Sequence, residues 1–185
     1  MRFDVPSVVP PVAMPFSAAD VAVIVREHGW LDSSRDVDAD AALAQWCARA
    51  AQLLAPHAAD RAAVADLLAL VFAYDARALV REPANQAVLA RVGARDVIRE
   101  VANHLLDGGD LDSDRFKEII DGVKVALPHR GRELFYPIRL ALAGRAGDGE
   151  LDRVILLLDA AASITFSAPV KGARQRMLEF CAAFD

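Results

Sequence analysis

The sequence predicts an all-α protein, a helical bundle or cage of two small subdomains. Apolar residues recur at three- and four-residue spacings through most of the 185 residues, and no segment alternates with the two-residue period of a strand. Proline, glycine and short acidic or hydroxyl residues punctuate the apolar stretches at helix-length intervals. The composition agrees: 55% hydrophobic, only 6% aromatic and rich in alanine.

Taken in order, Met1 to Pro15 is an apolar arm broken by Pro6, Pro10, Pro11 and Pro15. Ser17 with Asp20 forms a capping box opening a helix with Val21, Ile24 and Val25 on one side, closed at Gly29. Asp38 is the expected cap of a second helix whose stripe is Leu43, Trp46, Cys47, Ala50 and Leu54, stopped by Pro56. A third helix is expected from Ala58 to Ala73 through Val64, Leu67, Leu68 and Val71, and short helical turns after Pro83. Arg95 to Leu106 carries Ile98, Val101 and Leu105 inward before Gly108-Gly109.

Asp112 to Asp114 caps the cleanest amphipathic helix, with Phe116, Ile119, Ile120, Val123 and Leu127 opposite Lys117, Glu118, Asp121 and Lys124. Pro137 is expected in the first turn of the next helix, where its missing N–H has no partner to lose, and Gly144 supplies the left-handed stop. After a polar loop, Leu151, Val154, Ile155 and Leu158 point inward, with Asp148 the expected cap and Leu156 and Leu157 buried as well. A last helix from Pro169 to Phe184 bears Val170, Met177, Phe180, Cys181 and Phe184, with Ser167 as cap.

Several function classes are disfavoured. The arm lacks the basic flank and uninterrupted apolar segment of a secretory signal, and the longest apolar stretch, Leu67 to Tyr74, is too short to span a bilayer; a cytoplasmic location without membrane contact is expected. Cys47 and Cys181 read as reduced core thiols. His28, His57, His104 and His129 lack metal-ligand spacing, so no metal and no cofactor are expected. No Gly-rich phosphate loop or Gly-x-Ser-x-Gly is present, and the expected chain is not an enzyme and has no catalytic residue. A net charge of −5 argues against indiscriminate nucleic-acid binding and against DNA as a partner, while leaving room for a local basic face.

Gly131 to Gly144 reads Gly-Arg-Glu-Leu-Phe-Tyr-Pro-Ile-Arg-Leu-Ala-Leu-Ala-Gly. Together with Glu150 and Leu151, this segment resembles the signature of the C-terminal anticodon-binding region of bacterial glutamyl-tRNA synthetases, class I enzymes, here without the catalytic domain. Gly131, Leu134, Phe135, Pro137, Arg139, Ala141, Leu142 and Gly144 stand where that pattern wants them. The motif-level match covers Phe116 to Leu158, with a looser pattern from Phe16 onward. The family's lysine is Arg132 here, its threonine is Ala143, and its Gly-Pro is Asp148-Gly149. The resemblance implies three parts: the arm at 1–15, a first helical subdomain at 16–80, and a second at 81–185 carrying the signature.

The resemblance further implies a non-catalytic tRNA-binding module, free-standing or truncated, with a glutamate tRNA as partner and a separate catalytic chain or a second copy as others. The alternatives are a degenerate synthetase-like domain reused for protein interaction, and a fragment of a complete synthetase. The candidate RNA contacts form two groups: Arg91, Arg95 and Arg99 as a four-residue ridge, and Lys124, Arg130, Arg132, Arg139 and Arg145 around the signature, with Phe135, Tyr136 and Tyr74 as stacking aromatics. Arg139, set in the apolar Ile138-Leu140-Leu142 run, also fits a structural pair with a carboxylate or carbonyl.

Overall fold

A computed structural model describes residues 16–185, whose regular structure is all helical, with no strand among them. The N-terminal arm lies outside the described residues. The helices are α1 (Ala18–Glu27), α2 (Ala41–Leu54), α3 (Arg61–Phe72), α4 (Ala76–Arg81), α5 (Pro83–Leu89), α6 (Ala94–Leu106), α7 (Ser113–Ala126), α8 (Arg132–Ala143), α9 (Glu150–Ile155), α10 (Leu158–Ala162) and α11 (Ala173–Phe184). A 3₁₀ turn, Ala55–His57, follows α2 where Pro56 ends it.

Local chemistry sets most helix starts. Ser17 and Asp20 close the capping box on α1 in both directions. Asp40, rather than Asp38, caps α2, because its carboxylate is the one that reaches the Leu43 N–H; Asp38 instead closes a turn with Asp36. Asp60 caps α3, which starts at Arg61 and not near Ala58; Asp75 caps α4 and Asp112 caps α7.

The signature helix α8 begins earlier than the proline suggested. Gly131, at φ 55°, lets the chain enter the helix at Arg132, so Pro137 sits in its interior and the Glu133 carbonyl forgoes an intrahelical donor. Beyond Gly144, α9 has no side-chain cap from Asp148, and the expected single helix breaks after Ile155. The tight turn, with Leu157 N–H on Val154 O at 3.0 Å, keeps Leu156, Leu157 and Leu158 all buried. The Leu157 carbonyl then accepts from Trp46 Nε1 at 3.2 Å.

Packing ties the ends of the chain together. α1 lies on α2 and α3; α9 packs on α2, α3 and α8; α6 packs on α7 and α8; α11 packs on α4, α6 and α8. The buried side chains form one continuous cluster from Val21 to Phe180. Position 80/81 falls within α4, and the Ala76 to Pro83 stretch is helical rather than an open linker. Edge-to-face contacts of Phe166 with Trp46 and Phe72, centroids 5.2 and 4.9 Å apart, seat the loop before α11 on the first helices.

Two polar centres fix α11. Arg176, fully buried and on the same stripe as Ala173, Met177 and Phe180, donates to four carbonyls: Lys171 at 3.0 Å, Leu70 and Leu142 at 2.9 Å, and Val71 at 2.6 Å. Its guanidinium also lies 4.5 Å from the Tyr74 ring centre, and the Tyr74 hydroxyl donates to Ala141 O at 2.5 Å. Burial pulls the Arg176 pKa down to about 10, so the group is still charged at neutral pH, and pushes that of the Tyr74 phenol up. The second centre is Asp159, which accepts from Leu111 N–H and Ala173 N–H, each at 2.6 Å. This distant carboxylate caps α11, which starts at Ala173 with Ser167 outside it.

Arg176→Leu leaves four buried acceptors without a donor and is expected to cost about 3 kcal/mol or more, against about 1–2 kcal/mol for Tyr74→Phe, in urea unfolding. A Cβ on Gly172 would stand 2.7 Å from Asp159 Oδ1. Gly172→Ala therefore displaces the cap, with an expected loss of about 1–2 kcal/mol in the same measurement, although alanine is the better helix former.

Candidate nucleic-acid interface

The candidate arginines divide by what already holds them. Arg139 is committed inward: it donates to Asp152 through Nε at 2.7 Å and Nη2 at 2.8 Å, and through Nη1 to Gly147 O at 2.7 Å. Its side chain is 10% exposed and covers the Phe135 ring at 4.8 Å. This bidentate pair ties α8 to α9 across the polar loop, the structural alternative raised by its apolar setting.

Tyr74 is likewise committed, its ring under Arg176 and its hydroxyl on α8. Tyr136 has Arg132 over its ring at 5.7 Å.

The four-residue ridge is not a single helix face. Arg91 lies in the turn before Gly93, whose φ of 87° breaks the path into α6. Arg95 and Arg99 do share a face of α6, and both bind Asp185 Oδ1, at 2.7 and 2.9 Å; Arg95 also donates to Phe184 O and stacks on the Phe184 ring at 4.5 Å. These two side chains clamp the end of α11 while remaining about half exposed.

The second group splits along α8. Arg145 is exposed beyond the C-terminal end of the helix, about 18 Å along the axis from Arg132 at its start. Arg130, Arg132 and Lys124 stay together at the other end, where α7 turns into α8. Arg130 folds back onto α7, donating to Lys124 O and Leu127 O at 2.8 Å and His129 O at 2.6 Å, so it satisfies carbonyls at the helix terminus. Lys124 is 3.4 Å from Asp121.

The structure also brings one ridge residue to this end. The His129 ring covers Gly93 so closely that a Cβ there would stand 2.0 Å from its Nε2. The turn carrying Arg91 is thereby pressed onto the turn carrying Arg130 and Arg132. Both N-caps at this end, Gly93 and Gly131, lack a side-chain cap, so no N-cap side chain accepts from the first-turn N–H groups of these two helices, although Asp96 and Glu133 lie in those turns. Among the described residues Arg91, Arg132 and Arg145 form no ion pair. Val92, in the turn before α6, is 92% exposed and Val125, in the last turn of α7, is 90% exposed, and Glu133 pairs with His129 at 3.6 Å.

Sequence reasoning missed two features that organise the region, the role of Arg176 and the contact of His129 with Gly93. Arg176 had a visible signal, a cation on the stripe of Ala173, Met177 and Phe180; the approach of His129 to Gly93 joins positions 36 apart and had none. Among the described residues no group of His, Cys, Asp and Glu is arranged to hold a metal, no helix is long and apolar enough to cross a membrane, and both cysteines are free thiols. Burial pushes the Cys47 thiol up to about 11.

Comparison with family models, with curated proteins and with solved structures finds no match to this chain. The resemblance to the synthetase region rests on its own residues.

Stability measurements separate the two kinds of arginine. Arg139→Ala strands the half-buried Asp152 carboxylate and is expected to cost about 3 kcal/mol. Arg91→Ala and Arg132→Ala are expected within about 0.5 kcal/mol of the parent in urea unfolding.

Proposed function

We propose that the chain is a non-catalytic tRNA-binding module, similar to the anticodon-binding region of glutamyl-tRNA synthetase, and that RNA meets the end of the bundle where the turn before α6 abuts the turn before α8. The observation that carries this reading is the seating of His129 on Gly93, which gathers Arg91, Arg130, Arg132 and Lys124 around two helix N-termini without side-chain caps. Guanidinium groups and open N–H groups both suit phosphate oxygens. On a protein of net charge −5, such a patch gives local attraction without general affinity for polyanions.

The acidic remainder of the chain has a role in this reading. Asp96 and Glu133 lie in the first turns of α6 and α8, so a duplex lying flat across this end meets repulsion, whereas a loop entering end-on reaches Arg91 and Arg132. Val92 and Val125 offer apolar surface to an unstacked base. The same two valines favour a second reading, contact with a partner protein or a second copy, since apolar side chains this exposed suit an interface.

Fluorescence anisotropy with a glutamate tRNA and an unrelated tRNA, across a salt series, tests the proposal. About three phosphate contacts predict a log–log salt slope near −2 to −3, and Arg91→Ala or Arg132→Ala should each reduce its magnitude by about one. Absence of binding at low salt refutes the RNA reading. Val92→Glu with Val125→Glu, followed by light scattering, addresses the second: a parent that is a plain monomer counts against self-association.

A further inference from the structure

The proline-rich arm has no part in the RNA reading, yet the fold offers a receptor for it. Between α1, the 36–38 segment and α2 lies a cleft of about 370 Å3, lined by Ala18, Ala22, Val23, Val37 and Ala44 with Arg26 among them. Val23 is 40% exposed there, unlike its buried helix neighbours Val21, Ala22, Ile24 and Val25. One polar atom is out of keeping with the rest. Arg26 Nη2 donates to Arg35 O at 2.9 Å, but Arg26 Nε is buried without an acceptor among the described residues. Buried donors in folded proteins nearly always have partners, so the cleft calls for apolar surface and a carbonyl together.

We propose that residues Val5 to Val12 of this same chain fill the cleft, one of their backbone carbonyls accepting from Arg26 Nε. The sequence of the arm matches both demands. Val5, Val8, Val9 and Val12 supply apolar side chains. Pro6, Pro10 and Pro11 have carbonyls but no N–H, so they bring acceptors into an apolar cleft without donors that would go unmatched. The arm also joins the fold at the right place, since Ala18 and Ala19, which line the cleft, stand two and three residues after Phe16. At about 3.1 Å per residue in an extended proline-rich chain, the six steps from Val12 to Ala18 cover about 19 Å, enough to turn back across the face of α1. Asp36 and Asp38, also on the lining, complement Arg2, the single basic residue of the arm.

The full-length chain carrying the photo-crosslinker benzoylphenylalanine in place of Val9 tests this directly. Irradiation of the dilute protein, followed by peptide mapping, is expected to give a within-chain crosslink to residues 22–44. Val23→Glu, at an exposed position, and Ala44→Glu, on the facing wall, are each expected to lower its yield about tenfold while the thermal transition persists. A crosslink mapped elsewhere, no crosslink, a crosslink that joins two chains, or a yield unchanged in both variants overturns the proposal. Because the cleft shares no residue with the Arg91–Arg132 end, tRNA binding can fail without affecting this result.

Discussion

A single guanidinium holds the two halves of the chain together. Arg176 enters from α11, and its hydrogen-bond partners are the last-turn carbonyls of α3, Leu70 and Val71, the last-turn carbonyl of α8, Leu142, and the Lys171 carbonyl beside its own helix. Carbonyls at a helix C-terminus have no intrahelical donor and carry the negative end of the macrodipole. Two helices that end at the same buried point therefore need a donor with several N–H groups in a fixed fork, and the desolvation of the cation is offset by the charge-assisted bonds it makes there. Leucine would satisfy the packing and none of the carbonyls. Lysine would bring the charge without the fork.

The same solution recurs at lower stakes across the molecule. Arg115 donates to His104 O at the end of α6, Arg130 to Lys124 O at the end of α7, and Arg95 to Phe184 O at the end of α11. Arginine here is chiefly a helix-end residue. That accounts for a chain that is acidic overall yet looks locally basic in sequence: many of the cations seal carbonyls and face inward or along the surface. Among the described cations without such a commitment, Arg91 and Arg132 share one end of the bundle and Arg145 stands beyond the far end of α8. The candidate interface is defined as much by this prior commitment as by proximity.

Helix existence was legible because the apolar stripes obey the helical period, and the stripe residues Leu43, Trp46, Ile98, Ile119 and Phe180 are buried as that period requires. Starts with a local cap were legible too, as with Ser17, where the bond spans three residues. The misreadings share a different cause. α11 is capped by Asp159, 14 residues away, α9 and α10 part so that Leu156 and its neighbours stay buried while Trp46 reaches the Leu157 carbonyl, and Pro137 is tolerated inside α8 because Gly131 starts the helix early. Each is a tertiary demand overriding a local preference. The site was less legible still, since whether an arginine is spare depends on which helix end it meets. Asp152 removes Arg139 from the candidates, and no feature of residues 138–142 names that partner.

The signature segment accordingly speaks to architecture before it speaks to RNA. Gly131 sets the entry to α8, Leu134, Ile138 and Leu142 fill the core, Arg139 ties α8 to α9, Ala141 receives the Tyr74 hydroxyl, and Leu142 receives Arg176. Most positions that carry the resemblance are thus used in holding α8 within the bundle, against α6, α9 and α11. A sequence could keep all of them and lose every RNA contact. The converse also follows: the residues on which the proposed nucleic-acid role turns, Arg91, Val92 and Val125 with Arg132, lie mostly outside the signature, near the place where His129 covers Gly93. The fold and the proposed role therefore rest on different residues of this chain.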